Sequence, residues 1–207
     1  MKIFISFIIT TFIVLSFEAE LPQSSSIAES VVIENIAFIK IGTYRGLTSN
    51  GAEYQKSYFF PRHLMKTPWI ESRAVCNSYD FELTIFETLA EAEAVLTMAE
   101  NNSFLKTLNS VFISVDAMTL TLKSTTDWYW TKTGQKISYA LPWMPGEPNN
   151  INTINELCLS FGRSTLTSRF GFNDSPCSEI DFSFLCQKIE FFMPSKTMET
   201  VSISLNH

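Results

Sequence analysis

The chain of 207 residues suits one domain with modest extensions better than two full domains, and leaves room for a core of useful size. Its 15 Lys and Arg stand against 21 Asp and Glu, a formal net charge of −6, with no basic stripe to displace phosphate counterions, so nucleic acid is an unsuitable partner. Cys76, Cys158, Cys177 and Cys186 fit an oxidising compartment; they form no C-x-x-C pair and neither His63 nor His207 adjoins one, which is unlike a zinc site. Four cysteines allow three pairings, and spacing alone does not choose among them.

Residues 1–19 place Lys2 before an apolar run and end in small and polar residues around Ala19, the pattern of a signal peptide. About 15 apolar residues fall short of the roughly 20 that a spanning helix needs, so the expectation is a secreted, extracellular protein without stable membrane insertion. Residues 20–57 read as an N-terminal extension, Ser-rich at first, then apolar runs broken by Gly42, Gly46 and Gly51 that predict one or two strands. The main domain is expected over residues 58–190. Thr67 and Pro68 predict a helix entry, the hydroxyl accepting an unpaired N–H and the proline standing at the first helical position. A second helix is predicted from Thr88, where Thr88-Leu89-Ala90-Glu91 forms a capping box; Leu89, Ala92, Leu96 and Ala99 then share one stripe to about Asn101. Residues 111–115, 127–130 and 182–188 are short β-branched or aromatic runs that predict strands. Between Gly134 and Asp181 lies a long region dense in Pro, Asn, Gly and Ser, broken by the apolar residues 157–161; such a length requires a tether and suggests function. Residues 191–207 read as a C-terminal tail.

Chemistry concentrates in that region. Calcium is a hard cation taking six to eight oxygen ligands from carboxylates, amides, carbonyls and water. Such oxygens gather in Pro145-Gly146-Glu147-Pro148-Asn149-Asn150, in Asn155-Glu156 and in Asn173-Asp174. Asn101-Asn102-Ser103 is an N-glycosylation sequon with Asn101 as acceptor. No Ser, His and Asp fall into a recognisable catalytic arrangement, so an enzyme is not expected.

Six segments stand in a telling order: Trp69-Ile70-Glu71-Ser72-Arg73-Ala74-Val75-Cys76, Val111-Phe112-Ile113-Ser114-Val115, Trp130-Thr131-Lys132-Thr133-Gly134, Trp143-Met144-Pro145-Gly146-Glu147-Pro148-Asn149, Phe172-Asn173-Asp174-Ser175-Pro176-Cys177 and Phe184-Leu185-Cys186. Together, from about Tyr58 to Ile189, they resemble the C-type lectin-like domain family. The resemblance implies an α+β fold with two helices, small antiparallel sheets and a long disulfide-tethered loop region. It also implies Cys76–Cys186 and Cys158–Cys177 bridges and a cis Glu147–Pro148 bond. Carried over residue by residue, it implies one principal Ca2+ ion held by Glu147, Asn149, Glu156, Asn173 and Asp174, the last also through its backbone carbonyl. Glu147, Asn149, Glu156 and Asn173 would then meet the sugar.

The Glu-Pro-Asn triplet resembles that of members selecting mannose-type glycans through vicinal hydroxyls. Asn150 and Leu157 stand where members with an auxiliary ion carry acids, which implies a single ion here. Phe172 replaces the family's tryptophan, and the stretch from Glu147 to Glu156 is one residue longer than usual. The function so implied is calcium-dependent recognition of mannose-type glycans, with homo-oligomerisation or clustered ligands supplying avidity and innate immunity as the setting. The alternative is a calcium-independent, protein-binding module of the same fold.

Overall fold

The computed structural model describes residues 30–192 apart from 34, 35, 49, 152–154 and 180. The expected signal peptide and C-terminal tail lie outside the described residues, as does most of the Ser-rich stretch. Two antiparallel sheets and two helices make an α+β fold. The first sheet runs β1 (Ser30–Ile33), β2 (Ile36–Leu47), β3 (Glu53–Pro61), β10 (Cys186–Phe192) and β4 (Glu82–Leu83) in that spatial order. The second runs β6 (Trp128–Trp130), β5 (Val111–Thr119), β7 (Cys158–Arg163) and β8 (Gly171–Ser175), with the short β9 (Ser183–Phe184) parallel to β5. Among the described residues no helix is long and apolar enough to cross a membrane.

Three strands therefore occupy residues 30–61. β3 spans both sides of residue 57 and pairs with β10, which passes residue 190 to reach Phe192. Hydrogen-bond ladders, not shifts in composition, set these ends. Along β3 the side chains of Tyr54, Lys56, Tyr58 and Phe60 alternate inward, as a pleated strand requires.

The helix α1 (Trp69–Ser78) begins one residue later than the sequence suggests. Pro68 occupies the N-cap, not the first helical position, and its carbonyl accepts the N–H groups of Glu71 and Ser72 at 3.0 Å each. The Thr67 hydroxyl caps nothing; it donates to the Glu71 carboxylate at 3.0 Å. Trp69 anchors the helix, its ring N–H donating to Val115 O at 2.7 Å. In α2 (Leu89–Asn101) the Thr88 hydroxyl accepts the Glu91 N–H at 3.1 Å, as predicted. The reciprocal bond is displaced by one residue, Glu91 accepting from the Glu87 N–H at 2.8 Å.

Glu91 is displaced because it has further partners. It is fully buried, accepts the Tyr58 hydroxyl at 2.6 Å and pairs with the buried Lys56 ammonium at 2.7 Å. Lys56 also bonds Glu87 and, at 3.0 Å, Ile85 O, so its three donors are used. Burial raises the Glu91 carboxyl to about 7 against the opposing pull of Lys56. Removing one partner would strand a charge in the core.

The strands β7 and β8 fall inside the region that reads as one long loop. Both are buried on both faces, so neither shows the alternation that marks a half-exposed strand. Gly162 is required where β7 passes β5, since a Cβ there would stand 2.0 Å from Val111 O. Arg163 closes β7 by donating to the carbonyls of Leu105, Lys106 and Leu108 at 2.9 to 3.1 Å, capping a short 3-10 turn with a cation.

The bridges are Cys76–Cys186, spanning 110 residues, and Cys158–Cys177, spanning 19. The first joins α1 to β10 within a cluster of Phe38, Phe59, Trp69, Phe81, Leu83 and Phe184. The second joins the start of β7 to the segment after β8.

Candidate functional site

The site is built on β8. One side of its backbone binds the segment before the Glu-Pro-Asn triplet: Met144 N–H donates to Phe172 O, and Phe172 N–H to Pro142 O, each at 2.9 Å. Phe172 itself is fully buried, with Phe86 and Phe161 rings 5.9 and 6.2 Å away, so it fills the core beneath the site where the family's tryptophan would stand. From Met144 the chain turns through Pro145 and Gly146, which adopts a φ of +91° open to glycine, and Glu147 N–H closes the turn on Met144 O at 3.0 Å. The Glu147–Pro148 bond is cis.

Asp174, almost wholly buried, then fixes the triplet. Its two carboxylate oxygens accept the backbone N–H groups of Asn149 and Asn150, each at 3.0 Å. The Asn149 side-chain oxygen accepts Ile151 N–H at 2.8 Å, and the Asn150 side-chain oxygen accepts Glu156 N–H at 3.0 Å. Glu156 is buried at 5% exposure immediately before β7. The Asn173 amide donates to Asp174 O at 2.7 Å and to the Ser175 hydroxyl at 3.0 Å. The backbone carbonyl expected to face a cation is thus engaged by its neighbour in this arrangement.

The Glu147 carboxyl lies within electrostatic reach of those of Asp174 and Glu156. Desolvation, a hydrogen bond with Asp174, and the charges of Asp174 and Glu156 push the Glu147 carboxyl up to about 7. Its Oε2 is buried without a hydrogen-bond partner among the described residues. Among the described residues no three His, Cys, Asp or Glu side chains form a ready metal-holding group. Both Asp174 oxygens face backbone donors. Three carboxylates and two amides, all oxygen donors, nevertheless suit a hard cation.

A pH dependence follows. The raised Glu147 and Glu91 carboxyls contribute stability that is complete below the unfolded carboxyl pKa near 4.5 and is lost as pH rises through about 7. In chelator, the thermal midpoint is expected to fall as pH climbs across this window, and Glu147→Gln is expected to flatten part of the slope. A midpoint that rises between these limits would contradict the assignment.

No protein-family model matches the chain. It is 26% identical over 144 residues to human C-type lectin domain family 4 member K, a match covering 69% of the chain and 39% of that protein's length. Among solved structures, the C-type lectin domain of murine dendritic cell inhibitory receptor 2, in complex with N-glycan, superposes with a TM-score of 0.49 at 22% identity, covering 65% of this chain and 91% of that one. The cow C-type carbohydrate-recognition domain of CD23, in the presence of GlcNAc2Man3 oligosaccharide, gives 0.46 at 20%, covering 65% and 88%.

The fold is C-type lectin-like. Two helices, small antiparallel sheets and the two bridges give it that architecture, and both cysteine pairings agree with those the resemblance implies. Within it, the structure brings Glu147, Asn149, Glu156 and Asp174 into one hydrogen-bonded and electrostatic assembly, with Asn173 beside Asp174. Asn150, legible in the sequence as one of the oxygen-bearing residues and as an amide where an auxiliary-ion site carries an acid, was not among the expected site residues, although an amide flanked by ligand candidates can bridge them. Asn101 ends α2 and is exposed, so its sequon is accessible.

Proposed function

We propose that this is a secreted, calcium-dependent lectin that binds mannose-type glycans through Glu147, Asn149, Glu156, Asn173 and Asp174. The observation that carries the reading is a buried carboxylate oxygen, Glu147 Oε2, without a hydrogen-bond partner among the described residues, set beside two further carboxyls. Such an arrangement is costly unless a cation joins it. A bound calcium ion would supply that positive charge and positions for two vicinal sugar hydroxyls. The chain does the rest. Glu147 and Glu156 accept the hydroxyl protons; Asn149 and Asn173 offer amide donors to the sugar oxygens, using both polar atoms of each amide. For Asn173 this takes a half-turn of the amide away from Asp174 O. A shallow site of this kind binds one sugar weakly, so clustered ligands or copies supply avidity.

The second reading is a protein-binding module that works without calcium. It is favoured by the triplet being held by protein groups, Asp174 accepting the backbone N–H groups of Asn149 and Asn150. Calorimetric titration of calcium, then of mannose and galactose, separates the two when run beside Asn149→Asp. Wild type is expected to bind one calcium and prefer mannose, and the variant to lose that preference because an amide donor becomes an acceptor. Absent calcium heat, or a galactose preference in wild type, contradicts the lectin reading; partner capture unchanged in chelator supports the second.

A further inference from the structure

We infer that Asn150 is a positioning residue that clasps the Glu156 segment to the Glu147–Asn149 turn and thereby sets calcium affinity without being a ligand; the affinity claim rests on the function just proposed. The three parts of the site arrive on separate segments: the triplet before Asn150, Glu156 ahead of β7, and Asp174 on β8. Asn150 is bonded to two of them and adjoins the third. Its backbone N–H donates to Asp174 Oδ2 at 3.0 Å, and its side-chain oxygen accepts the Glu156 N–H at 3.0 Å. Its φ is +45°, in the left-handed region that an L side chain rarely enters and that Asn tolerates better than most.

The residue type follows from these two demands. Glycine would meet the backbone requirement and lacks the acceptor. A bulky or β-branched residue would meet neither. The Glu156 N–H belongs to a residue only 5% exposed, so a lost acceptor is poorly replaced by water. Two of the groups so aligned are Glu156 and Asp174, whose carboxyls meet Glu147. A loosened clasp therefore spreads the site before it unfolds the domain.

The test uses the full chain with Asn150→Gly and Asn150→Asp. Glycine keeps the backbone conformation and removes the acceptor; aspartate keeps both. Two readouts are taken: calcium affinity by calorimetry, and hydrogen exchange of the Glu156 amide in chelator, which needs no ion. Asn150→Gly is expected to weaken calcium about tenfold, the scale of one lost hydrogen bond, and to speed Glu156 amide exchange by a similar factor, with the thermal midpoint near wild type. Asn150→Asp is expected to keep the protection and to bind calcium within about threefold of wild type or more tightly, its added charge favouring a cation. Wild-type calcium affinity and Glu156 protection in Asn150→Gly would overturn the inference, as would an Asn150→Asp protein no better than glycine. Absent calcium heat in wild type overturns the functional reading and the affinity claim together; a calcium-binding wild type with an indifferent Asn150→Gly overturns only the role of Asn150.

Discussion

Replacing Glu147 by glutamine is expected to weaken calcium binding by about a hundredfold or more, roughly 2.7 kcal/mol, while leaving the ion-free protein at least as stable as wild type. The two effects share one cause. Without an ion, Glu147 is desolvated and faces Asp174 and Glu156, so its charged form is disfavoured and its carboxyl titrates near 7. Glutamine is nearly isosteric, carries no charge, and can donate an amide N–H to Asp174 where the protonated carboxyl now bonds. Repulsion is relieved and nothing is stranded. With an ion present the same exchange removes one of the negative charges that attract it. Thermal unfolding in chelator and calorimetry in calcium measure the two halves separately. A variant that unfolds markedly more easily in chelator would show that the Glu147 carboxylate is a structural group, and the case for a cation there would fall.

Exchange of Cys76 and Cys186 together for alanine is expected to cost about 4 to 5 kcal/mol of stability, the largest effect of any single bridge. The loop-entropy argument scales with the logarithm of the chain enclosed, and this bridge encloses a separation of 110 residues. The inner bridge, with a separation of 19, is worth about 3 kcal/mol by the same argument. Domains hold only about 5 to 15 kcal/mol in total, so losing the outer bridge consumes much of the margin. Both sulfurs sit in an aromatic cluster with no exposed surface, which adds a small packing loss to the entropic one. Denaturant unfolding with the midpoint and slope compared to wild type checks this. A loss under about 1 kcal/mol at unchanged slope would mean that the cross-link hardly restricts the unfolded chain.

Much of the domain can be read from the chain because its signals are local. The Thr88 to Glu91 capping box and the stripe through Leu96 and Ala99 locate α2, since caps and helical periodicity act within four residues. The β-branched or aromatic runs at 111–115 and 127–130 likewise mark strands, Val111–Thr119 and Trp128–Trp130. The entry to α1 lies one residue later than Thr67 and Pro68 suggest, because it is the Pro68 carbonyl that accepts the first N–H groups of the ladder.

The sequence by itself determined which residue types could do chemistry, the segments that carry them, and an even set of cysteines. The pairing of those cysteines was legible only through the family resemblance. Tertiary structure alone decided that β7 and β8 are strands, because burial on both faces erases their alternation. It also decided that Lys56 lies in the core, where Glu87 and Glu91 from a distant segment offset its charge. The double duty of Asp174, a carboxylate beside Glu147 and an acceptor for Asn149 and Asn150, is likewise a product of packing. Hydrogen bonds and charges between segments depend on which surfaces meet, and a linear pattern encodes that meeting only through the whole fold.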